Sequence, residues 1–195
     1  MDVHEKFPDW PRPPCEGFTA TDLLTLAGLP PHTQLIDGSF VFRSRQSLFH
    51  TTANCLLEAG LRRSLPDELR VRREMVVVVD PRQAPEPDLS VIRADAATSL
   101  DDNHYPAADV VLVVEVVSPD SEERDRKRKP QLYAEAGIPH FWRVEMNSAD
   151  ERPVVYVFEL ETATRSYVPT GIYRDHLKLT APFDIDIDLT EIDNL

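Results

Sequence analysis

The sequence predicts a mixed α/β fold built on a sheet, with one long early helix and a second helix behind a central strand. Three observations predict it. The run Val110–Val117 (VVLVVEVV) is β-branched and apolar at successive positions, as a strand covered on both faces requires. Residues 46–64 carry Leu48, Phe49, Thr52, Ala53, Leu56, Leu57 and Leu61 at i, i+3, i+4 spacing, with no Gly or Pro before Gly60. Much of the remaining chain falls into short apolar runs bounded by turn residues.

Taken in order, Thr19–Leu26 reads as a short helix capped by Thr19 or Thr21. Gln34–Arg43 (QLIDGSFVFR) reads as a hairpin, with Asp37-Gly38 as the turn pair between apolar flanks. The long helix follows. Leu69–Val79 reads as one strand, and Asp88–Arg93 as another, reached through Pro85-Glu86-Pro87. After the central strand comes a helix over roughly Arg126–Ala136, closed by Gly137. A Pro is tolerated only in the first turn of a helix. Pro130 therefore puts the helix start just before it, with Asp125 as the N-cap. His140–Glu145 is a strand, Val154–Leu160 and Ser166–Thr170 form a hairpin, and Leu177–Leu179 and Ile185–Leu189 supply the last strands.

The 195 residues suit one compact domain, expected over 17–195 behind a proline-rich segment, 1–16, that holds Pro8, Pro11, Pro13 and Pro14. Apolar residues at 42% and charged residues at 28% exclude wholesale disorder. Thirty-four acids against 21 bases give a net charge of -13, which argues against a protein that coats nucleic acid by bulk charge. An enzyme with a local metal or basic site is still allowed. The excess is uneven, since residues 144–195 carry 11 acids and 4 bases. Two cysteines, Cys15 and Cys55, are too few for a disulfide framework or a thiolate zinc site. The charged, proline-broken start is not a signal peptide, and the apolar runs fall far short of a membrane span. A cytoplasmic protein is expected, with no membrane partner.

Three features carry chemistry. Glu115 lies inside the apolar central strand, where a lone carboxylate costs several kcal/mol, so it needs a partner or a ligand. An ion pair with an arginine, or a place at the sheet's open end, explains it as well as a metal does. Asp88 opens the strand DLSVI, where a loop-capping Asp is common. Two carboxylates on neighbouring strands can converge on one hard cation, and Mg²⁺ takes one or two protein carboxylates with water and phosphate completing its shell. The third is the basic cluster Arg124–Lys129, which is either a solvated helix face or a source of charge at the strand's exit. There Lys129 could orient or deprotonate an attacking water, or neutralise phosphate charge. Trp142, Phe141 and Tyr133 read as core, and His4, His32, His104, His140 and His176 show no metal-ligand spacing. Arg62, Arg63, Arg70, Arg72 and Arg73 form a second basic patch, diluted by Asp67, Glu68 and Glu74, that reads as a solvated face.

The order PD–LSV, then VVEVVSP, then D-x-x-x-K-x-x-x-Y-x-x-x-G-I-x-x-F-W, preceded by QLIDG and a helix with His50, resembles the bacterial Uma-two family of restriction-endonuclease-type proteins. That family lies within the PD-(D/E)XK nuclease superfamily, and the resemblance covers roughly residues 17–190. It implies a restriction-endonuclease-like mixed β-sheet flanked by helices, with additional N- and C-terminal β-hairpins. It implies a Mg²⁺- or Mn²⁺-dependent endonuclease that engages DNA transiently, and a homodimer. Asp88 matches the first acid and Glu115 the second, and the backbone carbonyl of Val116 would be a third metal ligand. The superfamily's usual lysine position is Val117 here, and Lys129 matches a lysine moved to the following helix. Pro130 directly after it disfavours a helical Lys129 and leaves Lys127 as a substitute. Asp125, Tyr133, Gly137 and Trp142 match structural positions, Glu58 is a candidate early-helix acid or a surface residue, and His50 faces the cleft or is structural. A member of this fold without catalysis, acting as a binding or assembly module, is the alternative reading.

Overall fold

A computed structural model describes residues 12–195. Most of the proline-rich segment assigned to residues 1–16, and His4 with it, lies outside that range. The chain begins with α1 (Ala20–Thr25), closed at its start by a capping box in which Thr19 and Asp22 satisfy each other's backbone amides. The hairpin of β1 (Gln34–Ile36) and β2 (Ser39–Val41) follows, turning through Asp37 and Gly38 in left-handed conformations. Next comes α2 (Leu48–Arg63), with the Ser47 hydroxyl accepting from the His50 amide as N-cap.

The main sheet then forms from β3 (Leu69–Arg73), β5 (Leu89–Arg93), β7 (Val110–Val116), β8 (His140–Met146), β9 (Pro153–Glu161) and β10 (Ser166–Tyr173). Its order is β10-β9-β8-β7-β5-β3. Every neighbouring pair is antiparallel except β7 and β8, which run parallel because a helical crossover joins them. That crossover is a π-helical turn over Arg124–Arg128 leading into α3 (Lys129–Glu135). Gly137 and Ile138 then donate to the carbonyls of Ala134 and Tyr133, the paired bonds of a Schellman ending. Two short ribbons complete the fold: β4 (Val76–Val78) with β6 (His104–Pro106), in parallel, and β11 (His176–Leu179) with β12 (Ile185–Asp188), antiparallel.

The sheet is covered on both faces. One core packs Ala53, Leu56, Leu57 and Leu61 of α2 and Leu177, Ile185 and Ile187 of the last ribbon against Leu89, Val91, Leu112, Val114 and Trp142. Gly60 permits this approach, since a Cβ there would come within 2.5 Å of the Ile187 side chain. The opposite core packs Tyr133 of α3, Ile138 just after it, and Val77 and Tyr105 of the β4–β6 ribbon against Ile92, Val113 and Phe141. Hence β7 is buried along nearly its whole length, and each fully buried Val or Leu contributes about 1.5–3 kcal/mol. A third cluster, Phe18, Ala20, Leu35, Val76 and Ala84, ties the N-terminal part to this body, with the Phe18 and Phe40 rings stacked at 4.0 Å.

Two expectations need correction. The predicted strand 69–79 is two strands. Glu74 takes a left-handed conformation (φ 52°) and donates its amide to the Asp88 carbonyl, which turns Met75–Val79 out of the main sheet and onto β6. Arg70, Arg72 and Glu74 alternate with the residues between them as in a half-exposed strand, so the pattern did not mark that break. Nor is Asp125 an N-cap. Helical winding begins earlier, at Glu122, and Asp125 sits inside the π-helical turn with its side chain buried. The wide turn also accommodates Pro130. The Lys129 amide bonds five residues back, to Arg124, so Lys129 is helical (φ −61°, ψ −44°) although a proline follows it.

Candidate active site

Asp88 is the residue before β5, and Glu115 is the sixth of the seven residues of β7. The last registered pair between these antiparallel strands is Leu89 with Val114. One step further puts Asp88 beside Glu115, on the sheet face that carries α3. Both are fully buried. The strands end here because Pro85 and Pro87 cannot continue a ladder, so the two acids share the mouth of the sheet.

Each carboxylate is held separately. Asp88 Oδ1 accepts from the Arg43 guanidinium and lies 3.0 Å from His50 Nε2, while Oδ2 accepts from the Val116 amide at 2.6 Å. Burial pushes the Asp88 carboxyl up, but the His50 hydrogen bond and the charges of Arg43, His50 and Lys129 outweigh it, and the group titrates at about 2. Glu115 Oε2 accepts from Lys129 Nζ at 2.8 Å, and Oε1 accepts from the Tyr133 hydroxyl at 2.6 Å. Here burial wins over the Lys129 charge, with Asp125 and Asp88 adding repulsion, and Glu115 is pushed up to about 8. Lys129 is itself buried and also lies 3.0 Å from Asp125 Oδ1. Burial alone would lower its pKa, but the neighbouring acids raise it, so the ammonium is held protonated.

The sequence-derived residues sort clearly in space. Asp88, Glu115, Lys129 and the Val116 backbone come together, and His50 joins them from the first turn of α2. Lys127 does not, being exposed and paired with Glu123 at 3.3 Å. Glu58 does not either, and bridges Arg62 and Arg73 on the far part of α2. Much of the basic cluster is neutralised: Arg126 pairs with Glu122 and Glu145, and Arg128 pairs with Asp37 at the hairpin turn. Arg43 and Glu86 were missed. Arg43 lies in the loop after β2 with nothing in the local pattern to mark it, whereas the buried Glu86 of PEPD stands two residues before Asp88. Tyr133 is core, as expected, yet its hydroxyl also serves Glu115.

A divalent metal can be tested against this donor set. No group of three or more His, Cys, Asp or Glu among the described residues is arranged to hold an ion. Two carboxylates suffice for Mg²⁺ when water and phosphate complete its shell. Among the described residues, four buried acids, Asp88, Glu115, Asp125 and Glu86, lie close together, with Lys129, Arg43, His50 and His32 as their basic partners. Burial and the neighbouring acids make the ionised form of Glu115 costly, and a further cation beside it would relieve that cost, so the residues fit a divalent ion.

The Uma2 family, described as "Putative restriction endonuclease", matches residues 20–190. No curated protein matches the chain. Among solved structures, a protein of Anabaena variabilis described as "a putative nuclease belonging to DUF820" superposes with a TM-score of 0.67 at 14% identity. The match covers 91% of this chain and 98% of that one. At that identity the likeness bears on the fold, a central mixed sheet flanked by helices. With a family match over nearly its whole length, and a fold that agrees with it, the chain belongs to the Uma2 family of restriction-endonuclease-like proteins.

Proposed function

We propose that this protein is a metal-dependent endonuclease that hydrolyses phosphodiester bonds in DNA. One observation carries the reading: two fully buried carboxylates, Asp88 and Glu115, adjoin across β5 and β7 with Lys129 on the second of them. Asp88, Glu115 and the Val116 carbonyl would hold Mg²⁺ or Mn²⁺. Such an ion polarises a phosphodiester and lowers the pKa of bound water. The protein's own groups supply the rest. Lys129, held protonated, does not accept a proton from water. It orients the attacking water and offsets charge on the phosphate. His50 and the Val116 amide fix the Asp88 carboxylate, and Tyr133 fixes that of Glu115. Two subunits, one per strand, would give a double-strand cut.

A supercoiled-plasmid and single-stranded DNA assay with Mn²⁺ tests this. Asp88→Asn and Lys129→Met should each lose at least about 100-fold in rate. Lys127→Ala should stay within about twofold, because its pair with Glu123 is exposed. Wild-type protein without metal-dependent cleavage of either substrate overturns the endonuclease reading. The outcome would then favour a binding module of the same fold, a reading that the ion-paired basic cluster supports.

A further inference from the structure

Arg43 is bound to both sides of a choice. Its Nη2 sits on Asp88 Oδ1, the oxygen that His50 also contacts. Its Nη1 is buried without a hydrogen-bond partner, and stands 3.5 Å from Glu74 Oε1 and 3.6 Å from Glu86 Oε1. Both distances are too long for a hydrogen bond and short enough for a small side-chain rotation to close. The guanidinium side chain is only 11% exposed, so an anion must compensate it wherever it rests. Glu86 is buried, and Glu74 is held in place by the left-handed turn whose amide bonds to the Asp88 carbonyl. A second pair of carboxylates therefore lies beside the first, its Glu86 Oε1 also holding His32 Nδ1 at 2.7 Å, and the guanidinium rests on the Asp88 oxygen.

We propose that Arg43 is an exchangeable counter-ion. It neutralises Asp88 in the metal-free protein and moves onto Glu74 and Glu86 when a divalent ion takes Asp88. Arg43 is thus a positioning residue: it holds the Asp88 carboxylate in place, and it competes with the ion that Asp88 would receive. The exchange keeps buried charge paired in both states, which a site that simply exposed Asp88 to the ion would not do. The inference rests on the metal-site reading above and adds a residue, a direction of movement and a destination.

Mn²⁺ titration by calorimetry, on full-length protein without DNA, distinguishes the two. Arg43→Met removes the competitor and should tighten Mn²⁺ binding about tenfold, as expected if the guanidinium covers Asp88 in about nine molecules of ten. Glu86→Gln weakens the destination, leaves Arg43 on Asp88 and should loosen binding by about threefold or more. A merely structural role predicts loosening, or no change, in both variants, so the opposite signs are the signature. If Arg43→Met does not fold, judged by circular dichroism in EDTA, Glu86→Gln decides: unchanged or tighter binding overturns the exchange. Wild-type binding that Asp88→Asn abolishes but that neither variant moves overturns the exchange alone. Equal binding by wild type and Asp88→Asn overturns the metal site and the exchange together.

Discussion

Asp88 and Glu115 are neighbours with opposite electrostatic fates, and the difference lies in what each is given. Asp88 receives a guanidinium, an imidazole and a backbone amide, and titrates at about 2. Glu115 receives one ammonium, which it shares with Asp125, and a phenol, and burial pushes it up to about 8. For Asp88 the sign is that of a depressed carboxyl. Its contribution to stability is present above the unfolded pKa of 3.8 and is lost as pH falls through about 2. Asp88→Asn should therefore lower stability at pH 6 by about 2 kcal/mol, because the carboxylate's pairing with Arg43 and His50 is lost while Glu74 and Glu86 still stand beside the guanidinium. Between pH 4 and 2 the same variant should lose just under about 2 kcal/mol less than wild type, read from urea unfolding at each pH.

At the scale of elements, the crossover from β7 to β8 decides which lysine reaches the acid. A regular helix starting at Pro130 would leave Lys129 before its first turn. The π-helical turn over Arg124–Arg128 instead winds the chain early, spends the missing proline donor where the ladder is already widened, and delivers Lys129 onto Glu115. On the other face, Gly60 sets how closely α2 approaches β12. Gly60→Ala gains helix propensity of about 1 kcal/mol but drives a methyl to 2.5 Å from Ile187, which is fully buried and cannot swing clear. The net expectation is a loss of about 1–2 kcal/mol in stability, measured by thermal or urea unfolding.

At the scale of the whole molecule, acids engage much of the two basic clusters. The net charge is -13, and Arg126, Lys127, Arg128 and Lys129 of the cluster beside the site all pair with acids. The second patch is similarly spoken for at Arg62, Arg63 and Arg73. DNA binding should then depend weakly on salt, with a slope of log K against log salt no steeper than about −2, equivalent to about two phosphates neutralised. Fluorescence anisotropy on a short duplex, with an inactive variant, reads this directly; a steep slope would mean that these pairs open on DNA. No helix among the described residues is long and apolar enough to cross a membrane.

Periodicity and turn chemistry were enough to read the long helix, both hairpins, the central strand and the Gly137 stop from the chain itself, because each rests on near neighbours in sequence. The two acids stood out for a related reason: a charge within VVLVVEVV, or before a buried strand, conflicts with its own surroundings, whereas Lys129 was singled out by its place beside the strand's exit and by the family resemblance. Tertiary structure decided the rest. The break at Glu74 depends on a bond to Asp88 fourteen residues away, and β6 exists only because β4 lies against it. Arg43 is 45 residues from Asp88, and His50 is 38, so no local pattern could attach either to the site, and His50 was offered to the cleft only through the family resemblance. The chain's own sequence determined which groups had to find partners, since burial makes an unpaired charge costly wherever it lies. Only the fold decided which partners they found, because pairing depends on distance in space.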